Sequence, residues 1–131
     1  MAGVTPQEEL IRNLYSAFAA RDGEALRRLI AGDAAWVVPG HSPVAGEHRG
    51  HQAIFDYFAE LARRSDGTFK GQLLDVLVGA DRAAALALAT GERGGHVYHG
   101  RYVLLCDIAA DQVTRAILLP EDPFAFDSFW S

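Results

Sequence analysis

The stretch AAALALATGERGGHVYHGRYVLLC, residues 83–106, decides the fold. Two largely apolar segments, Ala83–Thr90 and Val97–Cys106, flank the pair Gly94-Gly95. A Gly-Gly pair between two such segments is typical of a hairpin turn, because glycine readily takes the positive φ angles that this turn needs. We therefore predict two neighbouring antiparallel strands.

The same pattern continues on both sides of this hairpin. Gly79-Ala80-Asp81 separates it from a strand at Phe69–Val78, and Ala109-Ala110-Asp111 separates it from a strand at Val113–Leu119. Sequential strands joined by tight turns form an antiparallel meander. The C-terminal half of the chain therefore predicts a four-stranded antiparallel sheet.

The N-terminal half predicts helices. Thr5 and Pro6 suit the cap and the first position of a helix, and Leu10, Leu14 and Phe18 then recur every four residues. Asp22-Gly23 ends this helix and begins a short one that Gly32 closes. Residues 35–38 are predicted as a short strand and residues 41–50 as a loop. A third helix follows this loop and ends at Ser65-Asp66-Gly67.

Helices first and strands afterwards, without alternation, predict an α+β fold. A curved antiparallel sheet would wrap around the N-terminal helices and leave a central pocket. At 131 residues, the chain has the usual size of one domain, so residues 1–131 are interpreted as a single domain.

Composition excludes several classes of function. The net charge of −5 argues against nucleic-acid binding, which needs a basic surface. No apolar run reaches the roughly 20 residues of a membrane span, and the N-terminus lacks the pattern of a signal peptide. The single cysteine, Cys106, cannot form an internal disulfide. These features favour a cytoplasmic protein without nucleic-acid or membrane partners.

No cofactor or metal is expected. The five histidines form no His-x-x-x-His pair on a helix. His96 and His99 lie three apart on a predicted strand, so their rings point to opposite faces. The sequence contains no phosphate-binding loop and no glycine-rich dinucleotide motif.

Several motifs together resemble the nuclear transport factor 2-like superfamily, and in particular its SnoaL-like branch, to which ketosteroid isomerase is related. The motifs are spread over nearly the whole chain: Tyr15-Ser-Ala-Phe, Asp33-Ala-Ala-Trp-Val-Val-Pro-Gly40, Ser65-Asp-Gly-Thr-Phe69 and Pro120-Glu-Asp-Pro-Phe-Ala-Phe-Asp-Ser-Phe-Trp130. The resemblance implies a cystatin-like cone, a homodimer, and a small, largely apolar ligand. It also implies a cofactor-independent enzyme for acid/base isomerisation, cyclisation or hydration. Because the superfamily hosts many activities, a non-catalytic ligand-binding or assembly module is the alternative.

The catalytic groups of ketosteroid isomerase are not expected in this chain. An ungapped match places Leu14, Val38 and Val103 at the positions of its tyrosine, its aspartate base and its buried acid. All three residues are apolar. The resemblance therefore predicts the fold without the isomerase chemistry.

Four residues are the catalytic candidates. The resemblance places His99 and Arg101 inside the cone, where an imidazole could move a proton and a guanidinium could hold an oxyanion. The alternatives are a solvent-exposed position at the cone mouth or a dimer interface. Tyr15 could donate a hydrogen bond to a substrate carbonyl. Asp122 could act as an acid in an apolar cavity, or could simply cap a final helix that begins at Pro123.

The substrate-binding candidates are mostly apolar residues of the predicted cone. They are Trp36, Val38, His41, Tyr57, Phe58, Leu86, Leu88, Val103 and Leu118. Plain core packing is the alternative for Trp36, and solvent exposure is the alternative for His41. The alanines of residues 83–89 leave room for a cavity, while Tyr98, Tyr102 and Leu104 are expected on the outer face, where they would form the dimer interface.

Overall fold

A computed structural model describes residues 3–131. Its elements, in chain order, are α1 (Pro6–Ala20), α2 (Gly23–Leu29), β1 (Ile30–Val38), β2 (Gly46–Arg49), α3 (Gly50–Arg64), β3 (Lys70–Val78), β4 (Arg82–Arg93), β5 (His96–Ala109), β6 (Gln112–Pro120) and α4 (Pro123–Trp130). The predicted α+β class is confirmed. No helix among the described residues is long and apolar enough to cross a membrane.

Six strands form one curved sheet in the order β2-β1-β6-β5-β4-β3. The predicted meander of β3 to β6 is confirmed, since each neighbouring pair is antiparallel. The sheet as a whole is mixed, because β1 pairs with β6 in parallel. The sheet therefore gains two strands beyond the meander.

Two boundaries in the N-terminal half were predicted wrongly. Strand β1 begins at Ile30, so Gly32 lies within a strand and does not close a helix. Residues 46–49, predicted as loop, form the edge strand β2, which pairs antiparallel with β1. This strand has four residues and no alternating apolar pattern, so only its pairing with β1 identifies it.

The predicted helix caps are confirmed. The Thr5 side chain accepts a hydrogen bond from the backbone N–H of Glu8 at 3.1 Å, and Pro6 occupies the first turn of α1. Asp22 caps α2 in the same way, through the N–H of Ala25 at 3.0 Å. Each cap satisfies a backbone N–H that the helix itself leaves without a partner.

Sheet curvature forms the interior of the cone. A bulge between Leu73 and Asp75 interrupts the pairing of β3 with β4, and bulges bend the strand that carries them. Helices α1 and α3 pack on the concave side, α1 against β3 and α3 against β1. Ile11, Leu14 and Ile54 are fully buried there, which anchors both helices to the sheet.

The two faces of β5 are the reverse of the prediction. Tyr98, Leu104 and Cys106 are buried on the concave face, whereas His99 and Arg101 are exposed on the convex face. Residues paired between β4 and β5 point to the same face of the sheet. Ala87 pairs with Tyr102 and Ala85 pairs with Leu104, so all four side chains lie on the concave face. Because side chains alternate along a strand, a one-residue slip in the ungapped family match reversed every assignment on β5.

The C-terminal helix holds the loop that follows β1. The carboxylate of Asp127, on α4, accepts hydrogen bonds from the backbone N–H groups of His41 and Ser42, both at 2.9 Å. Gly40 has a φ of +101°, and a Cβ at this position would collide with the Asp127 carboxylate. The Asp127 carboxylate therefore fixes the loop after Gly40 to α4, and this contact between Asp127 and the loop N–H groups is called the clamp below.

Candidate functional site

A cavity of about 970 Å³ lies between α1, α3 and the concave face of the sheet. Most of the lining side chains are aromatic or aliphatic. They include Phe18, Trp36, Phe55, Phe58, Leu61, Phe69, Leu73, Leu104, Leu118 and Phe126. A cavity of this size and character accommodates a small, largely apolar molecule.

Aromatic rings form one end of the cavity. Phe18, Trp36 and Phe58 meet edge to face, with ring centroids 5.1–6.0 Å apart. Edge-to-face contacts hold rings in fixed orientations. This part of the wall is therefore pre-formed.

Two tyrosines of the cavity lining are joined through their hydroxyl groups. The phenol oxygens of Tyr15, on α1, and Tyr102, on β5, are 2.8 Å apart and share a hydrogen bond. Burial raises the pKa of Tyr102 to about 12. Burial, followed by the neighbouring Tyr102, raises the pKa of Tyr15 well above its ordinary value. Both phenols are therefore protonated at neutral pH and act as hydrogen-bond donors.

Gly71 provides the space for this pair. It lies on β3 beside the two rings, and a Cβ at this position would be 2.5 Å from the Tyr102 hydroxyl oxygen. That separation is shorter than any ordinary contact between these atoms. The absence of a side chain at residue 71 is thus a condition for the observed position of Tyr102.

Tyr57 is a third phenol in the cavity lining. Its ring stacks on His48, with centroids 4.5 Å apart and planes 22° apart. The His48 Nε2 atom donates to the carbonyl oxygen of Val44 at 2.9 Å, which fixes the imidazole behind the Tyr57 ring. Burial raises the pKa of Tyr57 as well.

Five of the predicted site residues line the cavity: Tyr15, Trp36, Tyr57, Phe58 and Leu118. Val38 does not reach it. Its side chain is 2 % exposed and packs in the core beside the cavity. The predicted aromatic residues therefore lie in the cavity lining, whereas Leu118 is the single predicted aliphatic residue found there.

The other predicted residues lie away from the cavity. His99, Arg101, Val103, Leu86 and Leu88 are on the convex face, because their strands present alternate residues to each side. Arg101 forms an exposed ion pair with Glu121 at 2.7 Å. These five residues were placed in the cavity wrongly.

The two predicted site residues outside the sheet are also away from the cavity. Asp122 caps α4 by accepting a hydrogen bond from the backbone N–H of Ala125 at 3.0 Å, as the alternative interpretation had it. His41 is exposed in the loop after β1. Neither residue is part of the cavity lining.

Tyr102 lines the cavity, whereas it was expected on the outer face of the sheet. One signal could have located it. Residues 85–89 alternate between alanine and leucine, and Ala87 pairs with Tyr102 across the ladder. Small residues on one strand leave room for large residues on its neighbour, so the alanine face and the tyrosine face belong together.

The charged residues that line the cavity are all basic: Arg12, Arg21 and Lys70. Ser16 and Gln72 are further polar residues of the lining. Within residues 3–131, no aspartate, glutamate or histidine lines this cavity. The described lining therefore contains no carboxylate. The ladder pairs Lys70 with Thr90 and Gln72 with Leu88, so the side chains of Lys70 and Gln72 point to the convex face.

Both the sequence and the fold are similar to those of known proteins. The family model of the SnoaL-like domain matches residues 11–116. The solved structure of Bal32a, from a soil-derived mobile gene cassette, is 33% identical, with a TM-score of 0.93 over 96% of this chain and 97% of that one. A comparison with curated proteins finds no significant match.

Two more distant structures share the fold. A protein of unknown function with a cystatin-like fold, from Xanthomonas campestris, is 23% identical, with a TM-score of 0.89 over 94% of this chain and 96% of that one. A candidate SnoaL-like polyketide cyclase from Jannaschia sp. is 16% identical, with a TM-score of 0.80 over 100% of this chain and 98% of that one. Their similarity extends over the whole cone.

Proposed function

Because the chain belongs to the SnoaL-like domain family, we propose that it is a cofactor-independent enzyme acting on a small, largely apolar molecule with a carbonyl or enol oxygen. The observation that carries this proposal is the hydrogen-bonded phenol pair of Tyr15 and Tyr102 in a cavity lined mostly by aromatic and aliphatic residues. The reaction class is isomerisation, cyclisation or hydration. The likeness to a candidate polyketide cyclase supports the same class.

The phenol pair has a proton available for a ligand. Two hydroxyl groups carry two protons, and the hydrogen bond between Tyr15 and Tyr102 uses one of them. Whichever phenol donates to the other, the second proton is free to be donated to a ligand oxygen. Donation inside an apolar site stabilises negative charge that develops on that oxygen, as in an enolate-like transition state.

A non-catalytic ligand-binding module is the second candidate. One observation favours it: the described cavity lining contains no carboxylate and no imidazole, which are the usual general bases. In an enzyme with this lining, the proton acceptor would be water or a group of the substrate itself. A binding module would need only the apolar wall and the phenol anchor.

Deuterium exchange separates the two candidates without knowledge of the natural substrate. The probe is acetonaphthone, an aromatic ketone whose methyl protons exchange in heavy water through the enolate. We expect the protein to accelerate this exchange, as followed by NMR, and Tyr102→Phe to remove most of the acceleration. Tyr98→Phe is the matched control, because Tyr98 is also on the concave face of β5 but is not part of the cavity lining.

The result decides between the proposals when binding is measured in parallel by fluorescence titration. Binding without acceleration would contradict the enzyme and favour the binding module. If acetonaphthone does not bind and its exchange is not accelerated, both candidate functions are contradicted.

We also propose a homodimer formed through the convex face of the sheet. This face carries Leu86, Leu88 and Val103, together with Leu119, which is 47% exposed, and Val97, which is 77% exposed. It replaces the interface predicted from Tyr98, Tyr102 and Leu104, which face the interior. A large apolar face on a small protein favours burial against a second copy.

The dimer proposal is tested by sedimentation. Leu119→Asp is expected to yield a folded monomer, whereas the native chain sediments as a dimer. A native chain that sediments as a monomer would contradict the proposal. A cytoplasmic location stays a prediction.

A further inference from the structure

One hydroxyl group of the cavity lining is not used by the phenol pair. Tyr57, on α3, lines the cavity and is 5% exposed. Within residues 3–131, its hydroxyl group has no hydrogen-bond partner, whereas the hydroxyl groups of Tyr15 and Tyr102 are bonded to each other. Buried polar groups without a partner are rare in folded proteins, because they cost free energy. The Tyr57 hydroxyl group is therefore available to a bound molecule.

The Tyr57 oxygen can be reached from the cavity. In the part of the chain that the structure describes, two side-chain atoms are both sealed from solvent and unpartnered: Ser42 Oγ and Trp130 Nε1. The Tyr57 oxygen is not one of them, so it is accessible although most of its side chain is buried. Because Tyr57 borders the cavity, a ligand there can accept a hydrogen bond from its hydroxyl group.

The Tyr57 ring is held in place by its neighbours in the fold. One face stacks on the His48 imidazole, and the Phe58 ring lies 5.6 Å away between centroids. Burial, followed by the neighbouring Tyr102, raises the pKa of Tyr57, so the phenol stays protonated at neutral pH. A donor that is ordered before the ligand arrives loses little conformational entropy on binding.

Tyr57 and the phenol pair lie on different walls of the cavity. Helix α3, which carries Tyr57, packs against β1 and β2, whereas α1, which carries Tyr15, packs against β3 and β4. Strands β1 and β2 form one end of the sheet, and β3 and β4 form the other. The cavity therefore offers two separate sets of phenol donors.

We propose that Tyr57 is a second ligand-binding donor and that the ligand carries two oxygen acceptors on one apolar skeleton. One oxygen accepts from the Tyr15–Tyr102 pair and the other accepts from Tyr57. This inference rests on the proposed function, which supplies the first oxygen. A ketone, hydroxyl or ether oxygen serves as the second acceptor, since a phenol donates to each of them. Two anchors on different walls fix the orientation of the ligand in the cavity.

Probes with and without a second oxygen test the inference. Acetonaphthone carries one ketone oxygen. Its methoxy derivatives add an ether oxygen elsewhere on the rings, and the matching ethyl derivatives have a similar shape without that oxygen. In a fluorescence titration across the ring isomers, we expect the native protein to bind at least one methoxy derivative about three- to tenfold tighter than its ethyl counterpart, as for one hydrogen bond.

Three variants assign each preference to its donor. Tyr57→Phe should abolish the methoxy preference and keep the preference for acetonaphthone over ethylnaphthalene, which lacks the ketone oxygen. Phenylalanine retains the ring that stacks on His48, so the wall itself is kept. Tyr102→Phe should have the reverse effect. Tyr98→Phe is the matched control, because Tyr98 is buried but is not part of the cavity lining, and it should change neither preference.

The outcomes separate this inference from the proposed function. If no methoxy isomer is preferred, or if the preference survives Tyr57→Phe, the second anchor is overturned while the ketone preference still supports the proposed function. If Tyr57→Phe removes the ketone preference instead, both donors serve one oxygen and the ligand with two acceptors is overturned. If no probe binds, the inference and the proposed function are contradicted together.

Discussion

The substitution Gly71→Ala perturbs the phenol pair without removing either phenol. The new Cβ would be 2.5 Å from the Tyr102 hydroxyl oxygen, 3.6 Å from Tyr102 Cζ and 3.5 Å from Tyr15 Cε2. The two carbon contacts are ordinary. The contact with oxygen is not, so the Tyr102 hydroxyl group must move away and its 2.8 Å hydrogen bond to Tyr15 is lost.

The cost of this substitution follows from two effects. Inserting a methyl group into a packed site typically costs about 1–3 kcal/mol, and losing a hydrogen bond adds about 0.5–1.5 kcal/mol. Replacing glycine in a strand returns roughly 0.5–1 kcal/mol, because alanine loses less conformational freedom on folding. We expect Gly71→Ala to lower the free energy of unfolding by about 0.5–4 kcal/mol in urea denaturation.

A double-mutant cycle with Tyr102→Phe identifies the cause. Phenylalanine lacks the hydroxyl oxygen that the Cβ would meet, so Gly71→Ala should cost at least about 1 kcal/mol less in the Tyr102→Phe background. Gly32→Ala is the matched control, because no atom lies within 4 Å of a Cβ at that strand position. It should show only the gain of roughly 0.5–1 kcal/mol that alanine brings to a strand. An equal cost of Gly71→Ala in both backgrounds would refute the assigned contact.

Three other perturbations have expected outcomes. Asp122→Ala should lower the free energy of unfolding by about 1 kcal/mol through loss of the α4 cap, and should leave acetonaphthone binding unchanged in a titration; weaker binding would return Asp122 to the site. Asp127→Ala removes the acceptor of two loop N–H groups and should cost about 1–3 kcal/mol in urea denaturation, whereas no loss would show that the clamp contributes nothing. Because the pKa of Tyr102 is about 12 in the native state against an ordinary value of 10, the unfolded chain releases its proton first, so stability is full below pH 10 and falls as the pH rises to about 12. Urea midpoints across this window should fall less steeply in Tyr102→Phe, and identical slopes would contradict the burial of this phenol.

The sequence predicts the architecture well, because local signals repeat along it. The Gly94-Gly95 turn, the cap of Thr5 and the cap of Asp22 each specify their own geometry through a few neighbouring atoms. The parallel pairing of β1 with β6 is different. It joins residues at least 80 positions apart, such as Ile30 and Val113, and no local pattern in either strand encodes it.

The site was predicted only in part, because it depends on strand register. Tyr15 on α1 and Trp36 on β1 lie in the cavity lining, and their positions follow from their neighbours in the chain. Both faces of β5 contain apolar and polar side chains, so its pattern does not show which face is buried. The pairing of β5 with β4 determines which face is buried. As a result Tyr102 lines the cavity and His99 does not.

The central claim is that the Tyr15–Tyr102 pair binds an oxygen atom of the ligand. The most direct test compares the affinities of acetonaphthone and ethylnaphthalene, which have similar shape but differ by the ketone oxygen, for the native protein and for Tyr102→Phe. We predict that the native protein binds the ketone about three- to tenfold tighter, as expected for one hydrogen bond, and that Tyr102→Phe abolishes this preference. An unchanged preference in Tyr102→Phe, or none in the native protein, would contradict the claim.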